Sequence, residues 1–382
     1  MGKAYGFEIL KAGAEQKGRL GRLTTPHGVL DTPTFMPCAS QAVVKACAPE
    51  DIAQTGVRMM VCNTWHLHLR PGEDVVGEMG GLHRFMGWDG ALATDSGGFQ
   101  AFSLARPKDV TEDGVWLMSP VDGSRQFLTP EVSVAAQEKL GADIAVALDI
   151  CTPYPASVET ALEALQKTLR WGQRCLKVHS RDDQWLWGVA QGSVYSDLRA
   201  QSASWMAELG FTGFGIGGLS VGESREEMMA ALEASNNNLP REAPKWVMGV
   251  GTPRDIVAAG LRGTDVFDCV LPTRMARHGS VLTAEGALKI GNATFRADEA
   301  PIEAGCDCVT CRAHSRAYLH HLFRLGEAAA WRLLSLHNVR WYARLMERLR
   351  AAIGAGTAEK LLAELPVWTQ RDQEEGEADV AM

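Results

Sequence analysis

The segment Trp185-Leu-Trp-Gly-Val-Ala-Gln191 is an extended apolar run that ends on a polar side chain, and a stretch of helical character, 196–209, follows it. Seven further runs of this kind occur along the chain, at 34–38, 57–63, 91–95, 144–149, 211–218, 246–251 and 266–268. Stretches that favour helices separate most of them, among them 157–179, 224–234 and 253–261. Because a chain needs a crossover to return to a parallel strand, this alternation predicts a parallel sheet.

Eight such units match an α/β fold of the (β/α)8 TIM-barrel type, whose active site is built at the C-terminal strand ends. Most of the runs stop on a side chain able to do chemistry or bind a ligand: Asn63, Asp95, Asp149, Gln191 and Asp268. In a barrel these side chains converge on one pocket. The alternative is a doubly wound open sheet whose polar strand ends only meet solvent; the count of eight favours the barrel.

The charge of the chain is unevenly spread. The formal net charge is −8, which argues against a protein that binds any polyanion regardless of sequence. Residues 271–350 nevertheless contain twelve Lys and Arg against seven Asp and Glu. A cationic segment of this kind can attract one face of a nucleic acid. Arginines on ordinary exposed helices explain the same count equally well.

The nine cysteines are an odd number at low density, which fits free thiols and metal ligands in a reducing compartment better than disulfides. No run approaches the ~18 apolar residues of a membrane span. The first residues lack the apolar stretch of a signal peptide. We therefore expect a cytoplasmic protein that does not contact a membrane.

The segment Cys306-x-Cys308-x-x-Cys311, followed 26 residues later by His337, has the donor set of a zinc site. Three thiolates and one imidazole complete a tetrahedral sphere, so such a site is structural and couples metal binding to folding. A redox dithiol or unrelated buried cysteines are the alternatives. We expect His337 at the start of a helix over 339–351.

Two segments break the alternation of strands and helices. Turn residues within 7–30 predict a small antiparallel cap over the bottom of the barrel, and those within 102–128 predict inserted hairpins. The predicted organisation is a barrel with its cap and hairpin insertion over residues 1–300, and a zinc-binding helical subdomain with a closing helix over 301–352. Residues 353–382 are expected to form a C-terminal helix and an acidic tail.

From about residue 7 to 350 the chain resembles the bacterial tRNA-guanine transglycosylases. Beside the cysteine cluster, the motifs that carry the resemblance are Asn63-Thr-Trp-His-Leu67, Thr94-Asp-Ser-Gly-Gly-Phe-Gln100, Cys151-Thr-Pro-Tyr-Pro155, Gln191-Gly-Ser-Val-Tyr195, Gly217-Gly-Leu-Ser-Val-Gly-Glu223 and Phe267-Asp-Cys-Val-Leu-Pro-Thr-Arg274. Members of this family are (β/α)8 barrels with one structural zinc ion per subunit. They exchange guanine at wobble position 34 of tRNAs with GUN anticodons for 7-aminomethyl-7-deazaguanine (preQ1), a step toward queuosine.

The resemblance implies two catalytic carboxylates. Breaking a base–ribose bond builds positive charge at the anomeric carbon, and a retaining route uses one carboxylate as nucleophile and another group to transfer protons. By resemblance Asp268 is the nucleophile, which forms a covalent ribosyl–enzyme intermediate. Asp95 is then the general acid and base. For either residue alone, a helix N-cap would be the simpler explanation.

The resemblance also implies the contacts of the base. Asp149 accepts from the N–H donors of a guanine-like edge, while the Gln191 amide and the Gly218 N–H contact its carbonyl. The backbone carbonyl of Leu219 matches the family's contact to the aminomethyl group.

Further positions match contacts to the ring, to the RNA and to a second subunit. Phe99 and Met248 would sandwich the extruded base, although core packing is the default for either alone. Arg274 and Arg277 match positions that hold the uridines flanking the wobble base. The family acts as a homodimer, and Tyr318 and His321 fall at positions that resemble its interface.

Some residues depart from the family pattern. Ile150 replaces a glutamate that supports the loop around Leu219, and His314 replaces an interface tryptophan. Val221 is the bacterial type and leaves less room for queuine, the larger base used by eukaryotic members.

Three alternative functions remain open. A salvage enzyme that accepts queuine is disfavoured by the volume of Val221. A non-catalytic tRNA-binding partner subunit is disfavoured because Asp95 and Asp268 are both retained. A zinc hydrolase unrelated to RNA would need an open metal position, which four protein ligands do not leave.

Overall fold

The computed structural model describes residues 5–12, 18–99 and 107–366. In these ranges the strands are β1 (Gly6–Ala12), β2 (Arg19–Thr25), β3 (Gly28–Thr32), β4 (Thr34–Pro37), β5 (Met59–Asn63), β6 (Ala91–Asp95), β7 (Val115–Met118), β8 (Arg125–Leu128), β9 (Ile144–Val146), β10 (Trp185–Ala190), β11 (Phe214–Ile216), β12 (Lys245–Val247), β13 (Val266–Cys269), β14 (Ser280–Thr283) and β15 (Gly286–Lys289).

The α-helices of the same ranges are α1 (Pro49–Ala53), α2 (Thr64–Leu69), α3 (Glu73–Glu78), α4 (Gly81–Met86), α5 (Pro130–Leu140), α6 (Val158–Val178), α7 (Ser196–Glu208), α8 (Arg225–Asn238), α9 (Pro253–Gly260), α10 (Leu271–Arg277), α11 (Val309–Ala313), α12 (Arg316–Leu325), α13 (Ala328–Ala355) and α14 (Ala358–Glu364). Two short 3-10 helices lie at Pro107–Asp109 and Ala293–Phe295.

Eight strands form one parallel sheet in the order β4-β13-β12-β11-β10-β9-β6-β5. The two ends of this sheet meet, because a parallel bridge joins Cys38 to Val61 and the Ala39 N–H donates to the Val61 carbonyl at 2.7 Å. Each strand therefore lies beside the next one in the sequence around a closed ring. This confirms the (β/α)8 barrel, and the open-sheet alternative is wrong because no strand order reverses.

The eight barrel strands and the helices predicted at 157–179, 196–209, 224–234 and 253–261 form at or near the predicted positions. All five residues of β5 are buried, as expected for a parallel strand covered by helices. Ser157 caps α6 by accepting from the Thr160 N–H, and Ser224 and Glu227 form a capping box at α8. The hydrogen-bonded ladders of β9 and β11 end earlier than predicted.

The predicted antiparallel cap is the β1-β2-β3 sheet. Leu23 and Leu30 of this sheet pack in one cluster with Met36, Trp187 and other side chains that fill the barrel. A buried ion pair ties the cap to the barrel: Arg19 Nε donates to Asp265 Oδ1 at 2.8 Å, and both side chains are at most 5% exposed. The cap therefore closes the N-terminal end of the barrel.

Two hairpins interrupt the alternation of strands and helices. The predicted insertion contains the antiparallel pair β7 and β8, in which Trp116 lies opposite Phe127. Its residues 102–106 lie outside the described part of the chain. The second hairpin, β14 with β15, follows α10 and was not predicted from the sequence.

The helix expected at 339–351 is longer than predicted. It is α13, which begins at Ala328 and contains His337 in its interior rather than at its start. The physical reason is that no glycine or proline interrupts residues 328–353. Tyr342 of α13 donates to the Gly251 carbonyl at 2.6 Å, and the Asn338 amide donates to the Pro272 carbonyl at 3.0 Å. The helix is thus anchored to the barrel.

The predicted boundaries at 300 and 352 stay a prediction. Within the described ranges, no helix combines the length and apolar character needed to cross a membrane.

Replacing Arg19 by Met should destabilise the fold by about 3–5 kcal/mol, because Asp265 would stay buried without its cation. The matched control is Arg22→Met, which removes an exposed pair with Asp31 (3.6 Å) on the same cap sheet. It should cost no more than about 1 kcal/mol. Urea unfolding of both variants measures the difference, and equal losses would contradict a structural role for the buried pair.

Candidate active site

Asp95 lies at the C-terminal end of β6 and accepts hydrogen bonds on both carboxylate oxygens. Asn63 Nδ2 donates to Oδ2 at 2.6 Å, and the N–H groups of Thr64 and Gly97 each donate to Oδ1 at 3.1 Å. Burial raises the pKa of Asp95 to about 7, with a smaller upward contribution from the charge of Asp268, against the lowering effect of these donors. A carboxyl group with this pKa is suited to accept and release a proton near neutrality.

Asp268 lies on β13 and is held on one side only. The Trp246 indole Nε1–H donates to Oδ1 at 2.8 Å, and the Gly249 N–H donates to the same oxygen at 3.0 Å. The other oxygen, Oδ2, lies 3.6 Å from the Cys38 thiol, a weak donor. Burial raises the pKa of Asp268 above its usual value. One oxygen is thus fixed, while the other is left with only a weak contact.

Asp149 and Gln191 form a buried polar pair beside these carboxylates. Gln191 Nε2 donates to Asp149 Oδ2 at 2.6 Å, and Ser96 Oγ donates to Oδ1 at 3.1 Å. Gln191 Oε1 is buried and makes no hydrogen bond. Burial raises the pKa of Asp149. The pair therefore offers a carboxylate and a free amide oxygen, both able to accept from the N–H groups of a ligand.

Glycines leave the space around this pair. A Cβ on Gly98 would collide with Asp149 Oδ1, and a Cβ on Gly218 would collide with Gln191 Oε1. A Cβ on Gly217 would come within 2.6 Å of Gln191 Nε2. Side chains at these three positions would fill the space beside Asp149 and Gln191. The close approach of the backbone therefore requires glycine there.

Arg199 holds the backbone of Gly217 and Gly218 by hydrogen bonds. It is fully buried on α7, and its guanidinium donates to the carbonyls of Gly217 at 2.7 Å, Gly218 at 3.0 Å and Ser193 at 2.6 Å. Burial lowers the pKa of Arg199 to about 10, so it stays charged at neutral pH. A charge held by carbonyls alone fixes the positions of the two glycines.

The loop after Gly218 is held by Glu223. Its carboxylate accepts from the Ser220 N–H and, at 2.8 Å, from the Val221 N–H. Ser220 has a left-handed backbone (φ +60°), which is strained for a residue with a side chain. Because the N–H and C=O of a trans peptide point in opposite directions, the Leu219 carbonyl points away from Glu223.

The remaining predicted residues lie just after the C-terminal ends of the barrel strands. Phe99 is 47% exposed and follows β6, while Met248 follows β12 and is partly buried. Arg274 and Arg277 lie on α10, directly after the strand of Asp268, and both are half-buried.

The four predicted metal ligands come together. Cys306, Cys308 and Cys311 place Sγ at 3.8, 3.6 and 3.3 Å from His337 Nδ1. A tetrahedral zinc ion with bonds of about 2.3 Å to sulfur and about 2.0 Å to nitrogen separates such donors by about 3.6 Å. His337 Nε2 donates to the Leu282 carbonyl at 2.6 Å, which leaves Nδ1 free for a metal. The cluster could hold a metal ion and is consistent with zinc.

Several residues that hold the site are not predicted from the sequence. The sequence predicts Asn63 only as a polar strand end, without a contact to Asp95, and it predicts no role for Trp246, Arg199 or Glu223. The strand-end position was the available signal for Asn63. Trp246 reads as a core aromatic and Arg199 as a polar helix residue, so neither shows a signal in the sequence.

Comparisons with known proteins match nearly the whole chain. A family model described as queuine tRNA-ribosyltransferase matches residues 14–367. A protein of Symbiobacterium thermophilum named queuine tRNA-ribosyltransferase is 50% identical over 376 residues, which cover 98% of this chain and 94% of that relative. Proteins of the same name from Desulforudis audaxviator (50% identical) and Syntrophobacter fumaroxidans (48%) cover 91% and 93% of this chain, and 94% and 95% of their own lengths.

The Asp95 carboxyl should titrate near pH 7 in a carbon-13 NMR experiment with labelled aspartate. Asn63→Ser keeps an N-cap for α2 but removes the amide donor to Oδ2, so the pKa should rise further. Thr64→Val is the control, because the Thr64 hydroxyl bonds the backbone carbonyl of Asp95 and not its carboxylate. A wild-type pKa near 4 would contradict the effect of burial.

Proposed function

The chain belongs to the queuine tRNA-ribosyltransferase family, and we propose that it exchanges guanine at wobble position 34 of GUN-anticodon tRNAs for preQ1 through a covalent ribosyl–aspartate intermediate. The family makes it a pentosyltransferase that acts on tRNA. The observation that carries the proposal is the pair of buried carboxylates at the ends of β6 and β13, of which one has an oxygen free of strong donors.

In the first half-reaction Asp268 attacks the anomeric carbon of the ribose through Oδ2. A new carboxylate–carbon bond forms while the bond from that carbon to guanine breaks, and protonated Asp95 gives its proton to the departing base. The donors on Oδ1 of Asp268 hold the nucleophile in place. The pKa of about 7 leaves a useful fraction of Asp95 protonated at neutral pH.

In the second half-reaction the steps run in reverse with the new base. Asp95, now ionised, takes the proton from the ring nitrogen of preQ1, which attacks the anomeric carbon and releases the Asp268 carboxylate. The RNA chain stays intact throughout because the tRNA is held covalently while the bases exchange. Two displacements at one carbon retain its configuration.

The polar groups of the base pocket fit a ligand that has a guanine-like edge and an attached amine. Asp149 and the free Oε1 of Gln191 both accept, so Gln191 would meet an N–H donor of the base rather than the carbonyl expected from the sequence. Their buried position makes unpaired oxygens costly unless a ligand donates to them. Phe99 and Met248 flank this region as stacking surfaces for an extruded base. The Leu219 carbonyl, which points away from Glu223, provides an acceptor for the cationic aminomethyl group.

Glu223 holds the loop after Gly218, and the side chain at position 150 makes no contribution. Ile150 packs against the hydrophobic core and offers no carboxylate. The two N–H groups that donate to Glu223 are consistent with the orientation of the Leu219 carbonyl that suits an amine. With the moderate volume left by Val221, this supports preQ1 rather than queuine as the incoming base.

The cysteine cluster is proposed to hold one structural zinc ion per subunit. Its separations, its burial and the fixed His337 tautomer fit that ion. Zinc bound there joins the segment before α11 to the interior of α13. The four ligands leave no position for substrate, so the ion stabilises the fold and takes no part in base exchange.

Side chains in the C-terminal part of the chain support contacts to the RNA and to a partner subunit. Arg274 and Arg277 follow the nucleophile on α10, where they are placed to contact nucleotides beside the wobble base. Tyr318 is 45% exposed and stacks on His314 with ring centroids 5.1 Å apart, which supports a homodimer interface there. A tRNA substrate is consistent with the expected cytoplasmic location.

The proposed reaction is tested with GUN-anticodon tRNA that carries labelled guanine at position 34. Label release should require preQ1 and be far slower with queuine. Asp268→Asn should lower the rate by at least ~10³-fold, because a neutral amide is a poor nucleophile. Asp31→Asn, on the cap at the opposite end of the barrel, is the control. Equal release with queuine would contradict the base preference, and tRNA binding without release would favour a non-catalytic partner subunit.

Zinc should be present at one ion per chain after dialysis against metal-free buffer. Cys306→Ser removes one thiolate and should lower both the zinc content and the melting temperature. Cys175→Ser, a buried thiol of α6 outside the cluster, should lose stability from packing but keep its zinc. Metal analysis of the three proteins gives the answer, and a full zinc content in Cys306→Ser would overturn the assignment.

A further inference from the structure

A second group of metal-binding side chains lies at the opposite end of the barrel from the carboxylates. His27 comes from the β2–β3 turn of the cap, His83 from α4, and Asp143 from the segment just before β9. Their donor atoms all lie within 4.8 Å of one another. The group therefore joins three elements that are distant in sequence, and neither the proposed reaction nor the cysteine cluster uses it.

Asp143 is the fixed member of the group. Its side chain is 1% exposed, and its Oδ2 accepts from the Leu92 N–H at 2.9 Å. Its other oxygen, Oδ1, lies 2.8 Å from His27 Nδ1. A buried carboxylate that is already oriented by the backbone needs little rearrangement to bind a cation.

His83 has a buried nitrogen without a hydrogen bond. Its Nε2 lies 3.3 Å from Asp143 Oδ2, but the orientation does not make a hydrogen bond, and the atom is closed to solvent. A ring nitrogen that is closed to solvent beside a carboxylate oxygen gains free energy from a better-directed partner. An ion beside Asp143 would supply that partner.

We propose that His27, His83 and Asp143 form a second metal site, which takes a divalent transition metal ion such as Zn²⁺. Two imidazole nitrogens and one carboxylate oxygen are a donor set that suits such ions. Three protein ligands leave at least one coordination position for water. The ion at this site is therefore exchangeable, in contrast to one enclosed by three thiolates and His337.

Binding requires a modest movement of the imidazoles. The two rings are stacked, with centroids 3.5 Å apart and an interplanar angle of 13°. Nearly parallel rings do not aim both lone pairs at one point, so the rings must fan apart around the ion. His27 can make this movement because it lies on a turn and its side chain is 39% exposed.

A metal ion here would link the cap to the barrel. His27 belongs to the cap, whereas Asp143 leads into a barrel strand. Because the active-site carboxylates lie at the C-terminal strand ends, this ion would act on the stability of the cap and not on base exchange.

Calorimetric titration of Zn²⁺ into the holoprotein with its cysteine cluster already loaded tests the proposal. One further equivalent should bind at pH 7.5, and the melting temperature should rise with Zn²⁺ concentration. His27→Gln should weaken this binding by about tenfold or more, and His83→Gln should do the same. His27 lies on an exposed turn, so its variant keeps the test valid if the His83 variant unfolds.

The matched control is His68→Gln. His68 pairs with Glu73 at 2.8 Å but has no second imidazole beside it, so its loss should leave the further equivalent intact. The proposal is overturned if no further Zn²⁺ binds, if His27→Gln binds it as well as wild type, or if His68→Gln loses it equally. The three side chains would then be a hydrogen-bonded link between cap and barrel only.

Discussion

The burial of ionisable carboxylates at one end of the barrel is the constraint on which the site depends. Water stabilises a carboxylate strongly, so each buried acid must be held by fixed donors or take up a proton. Asp95 and Asp268 meet this constraint differently: the first is bonded on both oxygens and the second mainly on one. The proposal that Asp95 transfers protons and that Asp268 is the nucleophile rests on this difference.

Pairing of neighbouring strands supplies hydrogen-bond donors to the two carboxylates. Asn63 and Asp95 end neighbouring strands β5 and β6 in register, so the amide of one reaches the carboxylate of the other. Trp246 and Asp268 lie on the neighbouring strands β12 and β13. Stability is provided at the other end, where the cap and the buried Arg19 pair close the barrel. The C-terminal ends of the strands can therefore carry the strained backbone of Ser220 and the Oε1 of Gln191, which makes no hydrogen bond.

The sequence predicted the strands that carry the site better than the residues that hold the site by hydrogen bonds. Apolar runs of strand length, with polar residues at their ends, were enough to predict the eight strands and the position of Asp95 at a strand end. The donor to Asp268 was missed because it depends on which side chain of β12 faces the next strand. Arg199 was missed since a lone arginine on a helix ordinarily faces solvent. The interior position of His337 was missed because helix starts are poorly marked where helix-forming residues continue upstream.

The most direct test of the proposed base exchange is to find where the tRNA becomes attached. The enzyme would be mixed with GUN-anticodon tRNA without an incoming base, denatured in acid, digested with nuclease and protease, and analysed by mass spectrometry. A ribosyl group is expected on the peptide that contains Asp268, and it should disappear on addition of preQ1. A ribosyl group on Asp95, or no attached RNA while guanine is released, would contradict the proposal.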